Sequence, residues 1–403
     1  MSTEFQLPTG YLYSGVAAGI KSKANSRDVA MVVSERPCTL AGVFTTNQIV
    51  AAPVVLSRGR CPSSGGRGVV INSGNANACT GRQGDADALE MGRLAAAAVA
   101  RQLDQSVDES SFVVMSTGII GRHLPMEKIR RGIPAAAAAL GPAESDFLAA
   151  SDGIMTTDAT RKVICRPSGP GGIHRIAAMA KGAGMIGPKM ATMLSIAVTD
   201  KPLTPGDAQR ALQYAADRSF NCVSVEGHTS TNDSLVLMAA SAADDAESAE
   251  GFEEFKQSLT IACIDLAKMI PDDGEGATHL IEVRVSGASS DRDADVIARS
   301  VATSNLVKTA IYGGDPNWGR IVSAAGYAGV PLRPDATSLT INGRRLFEAG
   351  QPLPFDAAAV SRSIRENRNT SLELIVGYGS GAAKHWTSDL GTAYVEFNSE
   401  YST

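Results

Sequence analysis

Short apolar runs broken by turn-forming clusters, with amphipathic helical stretches set between them, constrain this chain's fold more than any other feature. Val29–Val33, Leu40–Phe44 and Ala52–Leu56 follow one another across polar turns and read as successive strands. Arg67–Asn77 is a buried-type strand running into an Asn- and Gly-rich turn. Asp85 then opens a stretch in which Leu89, Ala96, Val99 and Leu103 share one helical face. A further strand, Phe112–Met115, enters the loop Ser116–Gly121. Strand, loop and helix repeated in this order predict an α/β layer.

The second half repeats the pattern. Leu140–Met155 is Ala-rich and helical, and Arg166–Gly172 is an exposed tip between two strands. Thr204 followed by Pro205 marks a helix start, and Phe252, Phe255, Leu259, Ala262, Leu266 and Met269 form an apolar helical stripe that Pro271 ends. Ile281–Val285, Leu339–Asn342 and Leu372–Val376 alternate like strands, with helical segments near Asp295 and Ala357. A smaller C-terminal α/β lobe within about 280–390 follows from this order.

Composition narrows the function. A net charge of −5 with no basic run leaves no electrostatic footprint for nucleic acid, so small-molecule chemistry is expected. The cysteines Cys38, Cys61, Cys79, Cys165, Cys222 and Cys263 are scattered, without a C-x-x-C pair or a His at ligand spacing, and no metal is expected. Residues 1–15 lack a basic n-region and an apolar core, and Leu94–Ala100 is too short an apolar run to cross a bilayer. Cytoplasmic residence, without membrane association, is the expectation.

The stretch Lys181–Asp200 carries the chemistry. Gly182, Ala183 and Gly184 lead to a Gly187-Pro188 break, and Ala191-Thr192 then opens an apolar strand. A hydroxyl at a loop-to-strand junction suits a Thr whose own preceding peptide bond is to be broken, since the freed α-amine can then take the hydroxyl proton. An ordinary strand threonine fits the spacing as well. Gly182–Gly187 is also a literal G-x-G-x-x-G, yet Pro188 and a strand follow where a dinucleotide site needs a helix.

Met190–Leu194, Met-Ala-Thr-Met-Leu, resembles the cleavage pentapeptide of the ornithine acetyltransferase family, also called glutamate N-acetyltransferase. Similar blocks recur in order at Phe44–Asn47, Thr117-Gly118, Thr156–Asp158, Asp273–Thr278 and Gly314–Arg320, so the resemblance spans Gly15–Thr403. It implies an α/β fold of stacked sheets between helix layers, of the self-processing N-terminal-nucleophile kind. It also implies cleavage into residues 1–191 and 192–403, with Thr192 as nucleophile and Ala191-Thr192 as the cut. Thr117 and Gly118 form the oxyanion hole by this likeness, and Thr156, Lys181, Thr192, Glu275, Asn398 and Thr403 bind substrate.

The implied reaction is a ping-pong transfer of acetyl from N-acetylornithine to glutamate in arginine biosynthesis, by a heterotetramer of two chains of each kind. No cofactor is implied, and acetyl-coenzyme A is left open as a co-substrate. The chain departs from the family at His228, where an acidic residue is common, and at His279, where Lys is usual. An amidohydrolase or aminopeptidase using the same Thr with water as acceptor is the nearer alternative. A non-catalytic binding role and a dinucleotide site at Gly182–Gly187 are the others.

Overall fold

The computed structural model describes residues 5–187, 193–242 and 251–400. The first unit comprises β1 (Tyr11–Val16), β2 (Val29–Phe44), α1 (Ala52–Arg58), β3 (Ser63–Asn75), α2 (Gly81–Leu103), β4 (Phe112–Ile119), α3 (Met126–Ala138), α4 (Glu144–Ile154), β5 (Lys162–Ser168) and β6 (His174–Lys181). It continues through β7 (Leu194–Leu203), α5 (Pro205–Asp217), β8 (Val223–Ser224), β9 (Ser234–Ser241) and α6 (Phe252–Asp272). The remainder is β10 (Leu280–Ala288), α7 (Asp291–Ala302), α8 (Asn305–Tyr312), α9 (Trp318–Gly326), β11 (Ser338–Ile341), β12 (Arg344–Glu348) and β13 (Gln351–Pro352). The chain then closes with α10 (Ala357–Arg365), β14 (Asn369–Ile375), β15 (Gly381–Ser388) and α11 (Thr392–Glu400).

These strands make two mixed sheets, each flanked by helices, in agreement with the α/β layering expected from the sequence. The first runs β4-β3-β2-β9-β7-β6-β5, with β1 paired to β2, and the second runs β13-β12-β11-β14-β10-β15-β8. In the first sheet β9 and β7 lie parallel at the centre, β2 pairs antiparallel with β9, and β6 pairs antiparallel with β7. Strands that lie before residue 191 therefore flank both strands that lie after it.

Period-two alternation explains the layers. Val29, Met31 and Val33 of β2 face the α2 and α3 side, while Ala30 and Val32 face α4 with Tyr13 and Phe147. Opposite α4, the α6 stripe of Phe255, Leu259, Leu266 and Ile270 closes over Ala178, Ala197 and Leu237 of β6, β7 and β9. Each of those large side chains contributes about 1.5–3 kcal/mol by leaving water. Thr204 accepts the Asp207 N–H ahead of Pro205, the cap expected for α5.

Three readings need correction. Ala52–Leu56 is not a strand but the body of α1, because Pro53 sits in the first helical turn, where its missing N–H costs nothing. β4 runs on to Ile119, so Ser116–Gly118 belong to the strand rather than a loop. The dinucleotide reading of Gly182–Gly187 fails because β6 and β7 pair antiparallel across it, which excludes a parallel strand-helix-strand unit there.

Candidate active site

Backbone close approach builds the first wall. β3 and β4 run parallel and place Gly74 opposite Gly118. Gly118 has φ of +128°, and a Cβ there would stand 2.3 Å from the Gly74 carbonyl carbon, so only glycine closes this corner. Asn232 clamps it from the side, its Nδ2 donating to the Ala76 carbonyl at 2.6 Å and the Ser116 carbonyl at 2.9 Å. Thr117 and Gly118 then open on a cavity of about 100 Å³, lined also by Thr156, Lys181, Glu275 and Asn398.

The charged wall is held by buried ion pairs. Lys181 ends β6, is buried, and donates from Nζ to Thr156 Oγ1 at 3.0 Å. Burial lowers its pKa below the ordinary lysine value, against the pull of Asp158. Asp158 accepts the Gly182 N–H at 2.6 Å and the Thr156 N–H at 3.0 Å, and pairs with Lys162 at 2.8 Å. Burial opposes ionisation of Asp158, but Lys162 and Lys181 outweigh it and hold the pKa below the usual carboxylate range. Lys162 reaches Asp273 as well, at 2.6 Å, which ties the loop after α4 to the end of α6.

That tie delivers Glu275. Its N–H donates to the Ala183 carbonyl at 3.0 Å, and its carboxylate accepts Thr157 Oγ1 at 2.8 Å and Asn398 Nδ2 at 3.0 Å. A Cβ on Gly184 would stand 2.4 Å from Glu275 Oε2, so this glycine makes room for the Glu275 carboxylate, as Gly118 does for the β3 backbone. Asn398 comes from α11, which brings this part of the C-terminal segment into the cavity wall.

Met193 is the first described residue after the expected cut, and both its backbone groups are tied. Its N–H donates to Asp233 Oδ1 at 2.8 Å, and its carbonyl accepts the Ser234 N–H at 3.1 Å. Of the residues singled out from the sequence, Thr117, Gly118, Thr156, Lys181, Glu275 and Asn398 line one cavity. Ala191, Thr192 and Thr403 lie outside the described residues.

His228 is exposed and does not line the cavity. His279 is buried and fully engaged, Nδ1 with Asp389 and Thr278 and Nε2 with the Ile364 carbonyl. Sequence reasoning gave no role to Asp158, Lys162, Asp273 and Asp233, although Asp158 and Asp273 lie inside the quoted blocks; partners this far apart in the chain leave no local signal.

One group of metal-capable side chains occurs among the described residues. Cys222, Asp295 and His385 bring one donor atom each within 4.8 Å of one another. Asp295 already bonds His385 Nε2 at 2.7 Å and pairs with Arg299, so the group reads as a hydrogen-bonded cluster. It lies outside the cavity described above.

Residues 12–403 match the ArgJ family. The chain belongs to that family. It is 53% identical over 407 residues to the arginine biosynthesis bifunctional protein ArgJ of Rhodopirellula baltica, covering 100% of this chain and 98% of that protein. The ArgJ of Geobacter sulfurreducens is 44% identical, covering 98% of this chain and 99% of its own length.

Among solved structures, ArgJ of Bacillus halodurans is 37% identical, with a TM-score of 0.48, over 50% of this chain and 96% of its own. The ornithine acetyltransferase of Mycobacterium tuberculosis complexed with ornithine is 32% identical, with a TM-score of 0.40, over 46% and 94%. No helix among the described residues is long and apolar enough to cross a membrane.

Proposed function

We propose that this ArgJ-family chain transfers an acetyl group from N-acetylornithine to glutamate through a covalent acetyl-Thr192 intermediate, in arginine biosynthesis. One observation carries the reading: Thr117 and Gly118, the Lys181 ammonium and the Glu275 carboxylate converge on one small cavity, and Lys181 pairs across the sheet with Leu194, two residues after Thr192. In this reading the chain first cuts itself at Ala191-Thr192 into residues 1–191 and 192–403. The hydroxyl of Thr192 then attacks the acetyl carbonyl, and its freed α-amine takes the proton. Thr117 and Gly118 hold the oxyanion, a role worth about 10²–10³ in rate per donor. Lys181 and Glu275 orient the charged substrate, with Thr156, Asn398 and Thr403 completing the site. The working assembly is a heterotetramer in the cytoplasm, with two copies of each fragment.

A single nucleophile serving donor and acceptor in turn requires a covalent intermediate. After mixing with N-acetylornithine alone, mass spectrometry should find one acetyl group on the second fragment, at Thr192. Double-reciprocal plots should be parallel; intersecting lines would count against this mechanism. Product analysis with and without glutamate separates transfer from plain hydrolysis.

A specific feature favours acetyl-coenzyme A as a second donor. Next to the site, and sharing Gly118 and Thr156 with it, lies a groove of about 750 Å³ lined by Lys21, Lys23, Arg27, Arg122 and Lys128 against Asp152 and Asp158. The loop carrying the first three is anchored by Asp28, whose carboxylate accepts the N–H groups of Ala18, Ile20 and Lys21. Burial, against the pull of Asp28 and aided by the charge of Lys181, pushes Lys21 down to about 8. The groove has the room and the sign of charge for a phosphate-bearing arm. Lys23→Glu combined with Arg122→Glu should raise the KM for acetyl-coenzyme A about tenfold, ~1.4 kcal/mol, while N-acetylornithine keeps its KM. Equal changes for both donors would remove the groove from this role.

A further inference from the structure

Asp233 immediately precedes β9 and is fully buried. Its Oδ1 accepts the Met193 N–H at 2.8 Å, while Oδ2, equally buried, has no hydrogen-bond partner. The surrounding segment is latched: the Asp233 carbonyl accepts the Thr45 N–H at 3.0 Å, and Thr45 Oγ1 donates to the Ser230 carbonyl at 2.7 Å. An unpaired polar atom held so deeply costs about 1–3 kcal/mol. Met193 occupies one oxygen and the Ser230 backbone favours the charged form, yet no hydrogen bond reaches Oδ2.

Chain order says what that carboxyl is tied beside. Met193 directly follows Thr192, and its N–H is the group that Oδ1 holds. The carboxyl that grips Met193 is thus fixed to the residue immediately after the bond expected to break. Resting on the self-cleavage reading above, we propose that Asp233 is the proton carrier of the cut between Ala191 and Thr192.

The step balances as follows. The Thr192 oxygen forms a bond to the Ala191 carbonyl carbon, and the carbon–nitrogen bond breaks. The nitrogen takes the proton of the Asp233 carboxyl, and the hydroxyl proton returns to that carboxyl, which ends as it began. Water then hydrolyses the ester, placing its hydroxyl on the Ala191 acyl carbon and its proton on the Thr192 oxygen. Burial pushes the Asp233 pKa well above the ordinary aspartate value, against the Met193 N–H, the charge of Lys181 and the Ser230 backbone, which favours the protonated form that the step uses.

Cleavage of freshly synthesised full-length chain, followed by pulse-chase on denaturing gels, tests the role in wild type, Thr192→Ala and Asp233→Asn. Asparagine keeps the volume and an oxygen for the Met193 N–H but has no carboxyl proton to pass. Asp233→Asn should cut about 100-fold more slowly or worse, with the uncut chain melting where uncut Thr192→Ala does. If it cuts at the wild-type rate while Thr192→Ala stays whole, the proposal alone falls; if Thr192→Ala is cut, the nucleophile reading falls with it.

Should Asp233→Asn melt early, the wild-type chain decides through pH. A proton-giving carboxyl makes the cleavage rate fall as pH rises through its titration. A rate that climbs with pH throughout overturns the assignment.

Discussion

Thr192→Ala should be recovered as one uncut 403-residue chain that transfers no acetyl group. Both expectations come from one oxygen atom. In the proposed mechanism the hydroxyl attacks the Ala191 carbonyl once, during maturation, and the acetyl carbonyl in every later turnover. Without it neither ester can form, and the loss should be on the order of a million-fold, as when other enzymes lose their single nucleophile. The fold should persist, because Met193 keeps its bonds to Asp233 and Ser234 and the core residues of β7 are unchanged. Intact mass and N-terminal sequencing check the cut, and acetyl exchange checks the chemistry. Efficient cutting by the variant would sink the assignment of Thr192.

Lys181→Met should move the acid limb of the activity profile upward by on the order of one pH unit and lower kcat/KM about ten- to hundredfold. In the proposed mechanism the base is the α-amine freed by the cut, which must be neutral to accept a proton; such an amine titrates at about 7.7–8.0 when unperturbed. Lys181 pairs across the sheet with Leu194, two residues after Thr192, and a buried ammonium placed there is expected to disfavour a second positive charge, lower the amine's pKa and extend activity toward acid. Removing that ammonium removes the repulsion, the amine protonates at higher pH, and activity is lost sooner as pH falls. Asp158 keeps Lys162 as its partner, so the ion-pair network is reduced rather than dismantled.

The competing base is His228. It is exposed and outside the cavity lining, so His228→Ala should leave the limb in place. An acid limb abolished by His228→Ala yet unmoved by Lys181→Met would reassign the base.

The layered α/β character was legible because it rests on local pattern: the α6 stripe, the apolar runs of β2 and the alternation of β10 and β14 are visible in short windows. α1 was misread because Val54, Val55 and Leu56 look like a strand to any composition-based reading, and Pro53 decides the matter only if its place in a first helical turn is weighed. α3 passed unread, with Arg130 and Arg131 among its apolar positions and Pro134 inside it.

The site divides along the same line. Thr117, Gly118, Thr156, Lys181, Glu275 and Asn398 were named through resemblance, since no spacing rule places Asn398 against a carboxylate 123 positions earlier. Lys162 and Asp273, 111 positions apart, and Met193 and Asp233, 40 apart, were invisible for that reason. Long-range pairing of charges leaves no trace in local pattern.

The order of strands in the first sheet has a bearing on the molecule's history. β7 and β9, both encoded after the expected cut, sit between β2 and β6, both encoded before it. Neither piece alone can close this sheet, since the latter one bares two edges and the former is split down its middle. Folding must therefore come first and scission second, within an architecture already complete. Once severed, the two polypeptides stay joined by strand ladders instead of a covalent link, and a denatured mature enzyme faces a two-body search where the nascent chain faced a one-body one. The information needed to build the sheet is carried in one act of synthesis and is not restored to either polypeptide afterwards.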